Sequence, residues 1–167
     1  ELEKEIIEAH DVILIQSAWV SSQIQFIKNN FTIYEVERSL RPEIIASERW
    51  MSRHKNATLK PVLFTSSIMQ PYKGLHILIK AIAYLKSDYP DVVLNIAGAY
   101  SPPGIRRSGY ERWVRRMIKN LELEHNVNWL GSLNASDLAG QLRDSTVFIN
   151  PSYIESYSLS LAEALYI

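Results

Sequence analysis

The stretch that decides the fold runs from Val147 to Ile167, VFINPSYIESYSLSLAEALYI. Thr146 to Ile149 has the composition of a buried β-strand, and the residues after the Pro-Ser loop favour a short amphipathic helix. Glu155 lies in the loop and Glu163 on the helix. In an α/β sheet such a strand-to-helix turn lies at the carboxyl end of a strand, where ligands bind. The helix N-terminus offers unpaired N–H groups that suit a phosphate, so the stretch predicts an anion site with two carboxylates for hydroxyls.

Each carboxylate also has a plainer interpretation. Ser160 and Glu163 have the spacing of a capping box, in which Glu163 would only accept a hydrogen bond from a backbone N–H at the helix start. Glu155 would then be an ordinary solvated charge in a loop. Spacing alone leaves both interpretations open.

Upstream of this stretch, from Pro61 onward, the chain alternates regularly between strand and helix patterns. The predicted strands cover 62–65, 92–97, 127–130 and 146–149, and the predicted helices cover 73–85, 110–121 and a segment from Asn134 or Ser136 to about Arg143. This alternation predicts right-handed crossovers and a parallel sheet. The run 92–97 is apolar on both faces, which predicts helices on both sides of the sheet.

The first third of the chain is less regular. It favours helices over 1–9, 19–28 and 43–51, with Ser17 as a cap and Pro42 at a first helical position, and strands over 11–15 and 31–36. Residues 52–60 are polar and lack periodicity, which predicts a linker and a domain boundary.

Composition excludes several classes of function. The chain has 167 residues, 47% of them hydrophobic, which is enough for a packed core. Its 18 basic and 18 acidic residues give a formal net charge of zero, so a nucleic-acid partner is not supported. Cysteine is absent and the histidines lack metal-ligand spacing, so no disulfide framework and no metal site are predicted. We find no signal peptide and no apolar run long enough to cross a bilayer, and we expect a cytoplasmic protein.

The deciding stretch also resembles a known signature. Pro151-Ser152, Glu155 and, eight positions later, Glu163-Ala164 resemble the Glu-x7-Glu signature of the family 4 retaining glycosyltransferases of the GT-B superfamily. That signature usually reads P-S-x-x-E-x-F-G-L-x-x-x-E-A-M. Here Tyr157 stands for the Phe and Ser158 for the Gly. The strand, the Pro-Ser pair and both glutamates occur together, which makes the match fairly specific.

Two upstream segments carry the same resemblance. Lys73-Gly74-Leu75 resembles the start of the family block K-G-x-x-x-L-I-x-A, which implies that Lys73 contacts the donor diphosphate. The plainer alternative is a solvated lysine at a helix start. Trp129 to Ser132 resembles the family segment F-L-G-x, which implies base contacts by backbone groups near Gly131 and Ser132. Gly131 is also explained as a simple turn glycine.

One position departs from the family. Ile68 stands where many members carry an arginine, and an apolar side chain cannot make the bidentate phosphate contact of a guanidinium. Arg106 and Arg107 are candidate substitutes for the diphosphate contact, although a solvated basic pair is the plainer interpretation.

The resemblance implies an architecture and a set of roles. The expected fold is α/β, a Rossmann-like parallel sheet with helices on both faces: residues 58–167 form an incomplete GT-B donor lobe, and 1–57 are the end of an N-terminal acceptor lobe and a linker. Glu155 would be the catalytic residue that holds the donor sugar, and Glu163 would hold the ribose hydroxyls. The implied donor-binding residues are Lys73, Gly131, Ser132, Glu155, Ser156, Tyr157, Ser158, Leu159 and Glu163.

The implied function is that of a retaining, metal-independent hexosyltransferase that needs no cofactor beyond its nucleotide-diphospho-sugar donor. The acceptor would be a sugar or a lipid-linked glycan, as in polysaccharide or cell-envelope glycan synthesis. We expect the chain to be an excerpt that is inactive alone, with any membrane association peripheral and through the missing part of the first lobe. Two alternatives remain: a non-catalytic nucleotide-binding module and a GT-B sugar-nucleotide epimerase.

Overall fold

The structure, a computed structural model, describes residues 1–51, 60–67, 69–98 and 108–167. These residues form two compact units. One unit comprises Glu1–Leu40 with Glu155–Leu159, and the other comprises Arg41–Ile154 with Ser160–Ile167. The domain boundary between residues 57 and 58 lies outside the described residues, so the division into 1–57 and 58–167 stays a prediction.

The first unit is built on a two-stranded parallel sheet. Its elements are α1 (Leu2–Ala9), β1 (Val12–Ile15), α2 (Ala18–Gln25) and β2 (Thr32–Glu35). The strands pair in register from Val12 with Thr32 to Ile15 with Glu35. Ser17 caps α2 as predicted, because its side chain accepts a hydrogen bond from the N–H of Val20 at 3.4 Å.

The second unit holds a four-stranded sheet. Its elements are α3 (Pro42–Ile45), β3 (Val62–Ser66), α4 (Leu75–Asp88), β4 (Val93–Ala97), α5 (Gly109–Asn120), β5 (Val127–Gly131), α6 (Ala135–Asp144), β6 (Val147–Phe148) and α7 (Leu159–Tyr166), whose first residue belongs to the other unit. The strand order is β5-β4-β3-β6, and every pairing is parallel. The predicted parallel sheet is confirmed.

Helices cover both faces of this sheet, as predicted. On β3, Leu63 and Phe64 point to opposite faces, as successive strand residues do. The face of Leu63 packs against α4 and α5, through residues such as Ile79, Ile82 and Val114. The face of Phe64 packs against α3, α6 and the end of α7. Phe64 and Ile79 have no solvent-exposed surface, so the core lies on both sides of β3.

Helix α3 and strand β6 are shorter than the sequence predicts. The helix that begins at Pro42 ends at Ile45 and does not reach Met51, because the chain then turns toward the end of α7, where the N–H of Trp50 donates to the carbonyl of Ile167 at 2.5 Å. Strand β6 has only two residues. Hydrogen bonds from Thr146 to Val62 (2.7 Å) and from Ile149 to Phe64 (2.8 Å) nevertheless extend its pairing to the predicted limits.

The topology predicts a ligand crevice at the carboxyl ends of β3 and β6. Strands β3 and β6 are neighbours. The connection that leaves β3, through α4, covers one face, whereas the connection that enters β6, through α6, covers the other. In open α/β sheets, ligands bind outside the carboxyl ends of the strands where adjacent connections diverge in this way. The loops that follow β3 and β6 therefore line the expected site.

Candidate functional site

The loops after β3 and β6 are locked together by a backbone contact at Gly74. Gly74 lies in the left-handed region (φ 70°), and a Cβ built on it would lie 1.9 Å from the carbonyl oxygen of Pro151. The N–H of Tyr153 also donates to the carbonyl of Tyr72 at 2.9 Å. Only glycine combines this φ with so close an approach of another backbone. The Pro-Ser loop is thus fixed against the start of α4.

Lys73 lies directly before this contact. It ends the 3₁₀ turn Pro71–Lys73 that leads into α4, and its side chain is half-buried. Its Nζ lies 5.3 Å from the centroid of the Tyr72 ring, within the range of a cation–π interaction. The structure therefore places a cation at the carboxyl end of β3, beside the Pro-Ser loop. Its contact with a diphosphate stays a prediction.

The ends of three adjacent strands meet beside this point. A Cβ on Gly98, after β4, would lie 1.8 Å from the carbonyl oxygen of Ser67, after β3. The N–H of Gly98 donates to the carbonyl of Gly131 at 2.8 Å. Gly131 has φ 74°, as its interpretation as a turn glycine requires, and Ser132 after it is exposed. Base contacts by Gly131 and Ser132 stay a prediction.

Glu163 is buried and paired. Its side chain is 1% exposed, and Arg41 donates to it twice, from Nε to Oε1 at 2.6 Å and from Nη2 to Oε2 at 2.8 Å. The capping-box interpretation is wrong, because α7 begins at Leu159 and Ser160 lies within the helix. The carboxylate is instead held by a bidentate, charge-assisted pair.

Arg41 is a site residue that the sequence analysis missed. The hydrogen bond to Glu163 raises the pKa of the Arg41 guanidinium above its ordinary value, against the opposing effect of partial burial. The two residues are 122 positions apart, and no periodicity or spacing connects them. The sequence signal that remains is the position of Arg41 directly before Pro42, the first residue of α3.

A second missed cluster surrounds His76 on α4. Its Nδ1 lies 3.0 Å from the hydroxyl of Tyr110 and its Nε2 lies 3.3 Å from the hydroxyl of Tyr153. Desolvation, followed by the charge of Lys80, lowers the pKa of His76, and burial raises the pKa of Tyr110. The cluster connects α4, α5 and the loop after β6.

The remaining predicted site residues lie outside the second unit or outside the described residues. Glu155 to Leu159, which include Ser156, Tyr157 and Ser158, group with the first unit. Their predicted roles toward the donor sugar therefore stay predictions. Arg106, Arg107 and Ile68 lie outside the described residues.

Neither a cluster of metal ligands nor a membrane-spanning helix occurs in the described ranges. No group of three or more histidine, aspartate or glutamate side chains there is arranged to hold a metal ion. In the same ranges, no helix is both long and apolar enough to span a bilayer.

The chain matches known proteins both in sequence and in structure. The sequence model of a family described as "Glycosyl transferases group 1" matches residues 46–167. A curated relative, the D-inositol 3-phosphate glycosyltransferase of Corynebacterium glutamicum, is 34% identical over 98 residues, which are 58% of this chain and 22% of that protein. The matched segments therefore cover only 22–23% of the length of these relatives.

Solved structures show the same fold. The sucrose-phosphate synthase of Thermosynechococcus elongatus matches with a TM-score of 0.79 at 18% identity, over 98% of this chain and 40% of that one. The pneumococcal O-GlcNAc transferase GtfA, solved in complex with UDP and GlcNAc, matches with a TM-score of 0.70 at 18% identity, over 99% of this chain and 30% of that one.

Proposed function

The chain belongs to the group 1 glycosyl transferases, and from this premise we propose that the whole protein is a retaining transferase of the GT-B superfamily. It moves a hexosyl group from a nucleotide-diphospho-sugar to a sugar or lipid-linked acceptor, in the synthesis of a polysaccharide or cell-envelope glycan. The reaction is metal-independent. The protein works in the cytoplasm, with peripheral attachment to the membrane where a lipid-linked acceptor requires it.

The observation that carries this proposal is the contact between the loops after β3 and β6, at the carboxyl ends of these strands. The carbonyl of Pro151 approaches Gly74 too closely for any side chain, and Lys73 lies directly before that contact. An ammonium group at the carboxyl edge of a parallel sheet suits the diphosphate of a sugar nucleotide. In transfer, the departing diphosphate gains negative charge, so a preorganised cation there stabilises the transition state.

The donor that we propose is a UDP-sugar. Several structures of the same fold were solved with UDP, among them the pneumococcal transferase and an Anabaena protein in complex with UDP and glucose. A glycan acceptor is supported by the S. aureus protein TarM, a structure of the same fold that was solved in complex with fondaparinux, alpha-GlcNAc-glycerol and UDP. Within this proposal Lys73 binds the diphosphate, Gly131 and Ser132 bind the base, and Glu163 binds the ribose.

The test separates the two glutamates of the signature. In the full-length protein, Glu163→Gln should weaken binding of UDP and of the UDP-sugar alike, because every nucleotide ligand carries the ribose. Glu155→Gln should leave UDP affinity nearly unchanged and lower sugar-dependent binding and turnover, since Glu155 is proposed to act on the sugar. Both changes keep the size of the side chain and remove its charge.

Calorimetry with UDP and a set of UDP-sugars, together with single-turnover kinetics, provides the measurement. Equal loss of UDP affinity in the two variants would refute the division of roles. Wild-type UDP affinity in both variants, with unchanged stability, would refute the binding site itself.

A nucleotide-binding module without transfer activity is the second candidate. It is favoured by Ile68 in place of the arginine that many relatives use for the diphosphate, and by Ser158 in place of glycine. Release of free UDP from a UDP-sugar, measured with and without an acceptor glycan, distinguishes the two. Acceptor-dependent release supports the transferase, whereas binding without release supports the module. Conversion of the UDP-sugar to its epimer would instead identify a sugar-nucleotide epimerase.

A further inference from the structure

We propose that Arg41 is a positioning residue for the ribose, which holds the carboxylate of Glu163 in the orientation that receives the ribose hydroxyls. This inference rests on the proposed function, in which Glu163 binds the ribose. It assigns a role to a residue outside the Glu-x7-Glu stretch, 122 positions away from the carboxylate it contacts.

The first support is the geometry of the pair. Two N–H groups of one guanidinium donate to the two oxygens of one carboxylate, at 2.6 and 2.8 Å. The planar guanidinium fork therefore fixes both the plane and the direction of the carboxylate. An ionised carboxylate has about four lone-pair positions, and this pair uses two of them. Two acceptor positions remain for the two hydroxyls of a ribose, and because the Glu163 side chain is 1% exposed, the nucleotide must displace neighbouring side chains to reach them.

The second support is that local structure does not explain the burial of Glu163. The Glu163 side chain is 1% exposed, although desolvating a carboxylate is unfavourable. It is the fifth residue of α7, which begins at Leu159. The favourable effect of a helix N-terminus on a carboxylate is confined to the first turn. Among the contacts that the structure gives Glu163, the one that compensates its charge is therefore the pair with Arg41.

A second buried pair in the same unit shows the contrast. Arg115 Nε donates to Glu111 Oε1 at 3.0 Å, and the Glu111 side chain is also 1% exposed. These two residues are four positions apart on α5, and Glu111 lies in its first turn, where Ser108 caps the helix. Helix geometry explains this pair without a ligand. Arg115 therefore provides a matched structural control for Arg41.

The experiment compares how the full-length protein binds UDP and 2′,3′-dideoxy-UDP, which lacks both ribose hydroxyls. The variants are Arg41→Lys, Arg41→Met, Glu163→Gln and the controls Arg115→Lys and Arg115→Met. We expect the wild type to prefer UDP by at least about tenfold, because hydrogen bonds to a charged group are lost in the dideoxy ligand. Glu163→Gln should reduce this preference sharply.

We expect Arg41→Met to bring the ratio of the affinities for UDP and 2′,3′-dideoxy-UDP close to one. Arg41→Lys should give an intermediate ratio, since lysine keeps the charge but not the planar fork. The Arg115 variants should keep the wild-type preference even where they lower the melting temperature. A general loss of stability would weaken both ligands equally, so the ratio of the two affinities separates positioning from folding. Arg41→Lys carries the test if Arg41→Met does not fold.

Two failures remain distinguishable. If the wild type binds both nucleotides equally, or if Glu163→Gln keeps the preference, the ribose role of Glu163 in the proposed function is wrong. If Glu163→Gln loses the preference while both Arg41 variants keep it, the role of Arg41 is wrong and the proposed function stands. Tighter UDP binding by Arg41→Met would also overturn the inference, because Arg41 would then compete with the ribose.

Discussion

At the scale of single residues, Lys73 is the cation on which the proposed diphosphate site depends. Its ammonium group lies 5.3 Å from the centre of the Tyr72 ring, and its backbone leads into α4. We expect Lys73→Ala to weaken UDP binding by about 1.5–3 kcal/mol, the usual contribution of a hydrogen bond to a charged group. Calorimetry on the full-length protein provides the measurement. Lys80→Ala, at an exposed position on α4, is the control. Unchanged UDP affinity in Lys73→Ala would show that Lys73 does not bind the diphosphate.

His76 should make stability depend on pH. Its pKa is lowered from 6.5, first by desolvation and then by Lys80, so the unfolded chain takes up the proton more readily than the folded one. The contribution of neutral His76 to stability is therefore fully present above pH 6.5 and is lost as the pH falls through the lowered pKa of the folded state. We expect the melting temperature of the wild type to fall more than that of His76→Gln between about pH 7.5 and 5. Parallel decreases would contradict this, and His125→Gln, at an exposed position, controls for the loss of a histidine.

The positions of some candidate site residues in the fold could be predicted from the sequence, whereas the contacts of others could not. The places of Lys73, Gly131 and Glu163 could be predicted, because each lies near the end of a strand or the start of a helix that the pattern locates, and their roles stay predictions. Arg41 and the cluster around His76 could not be predicted, because their contacts join separate elements. The bidentate pair between Arg41 and Glu163 exists only once the sheet and helices have formed.

At the scale of elements, Gly74 joins two loops and should not tolerate a side chain. A Cβ there would combine a left-handed φ of 70° with a contact of 1.9 Å to the carbonyl of Pro151. We expect Gly74→Ala to destabilise the protein by about 2–5 kcal/mol, from backbone strain and overpacking together. Urea unfolding of the variant and the wild type provides the measurement.

Gly140 offers a matched control for this change. It lies within α6, and a Cβ built on it would meet no atom within 4 Å. Gly140→Ala should therefore stabilise the protein by about 0.5–1 kcal/mol, because alanine is the better helix former. Equal free energies of unfolding in the two variants would contradict the predicted difference between the two positions.

Most helices and strands were predictable because their apolar residues recur at helical or strand spacing. The core-facing residues of α4, such as Leu75, Leu78 and Ile82, are buried as that spacing requires. The end of α3 was not predictable, since Trp50 bonds to the far end of the chain in place of continuing the helix. Short tertiary hydrogen bonds of this kind leave no local signature.

At the scale of the whole chain, the two units should differ in stability. In β1 only Ile15 is buried, whereas in β3 Leu63, Phe64 and Thr65 are all buried. A two-stranded sheet with few buried residues is marginally stable, and its amides open more often. We expect amides of β1 and β2 to exchange with deuterium at least about tenfold faster than those of β3 and β4. Mass spectrometry of peptides from the 167-residue chain tests this, and equally slow exchange in both sheets would contradict it.

The class of fold could be predicted at this scale, but the order of the strands could not. Alternating strands and helices predict parallel pairing and covered faces, and both are confirmed. They do not determine that β6 lies beside β3, which follows from the side of the sheet on which α6 packs. The predicted crevice depends on that placement, so its position emerges only in the folded chain.

The backbone contact at Gly74 also limits which second mutations can restore a Gly74 variant. The atom that a Cβ on residue 74 would strike is the carbonyl oxygen of Pro151, which every amino acid carries. No substitution at position 151 can therefore make room for a side chain at position 74. In a saturation screen, suppressors of Gly74 variants should arise by global stabilisation elsewhere, and none should be specific to position 151.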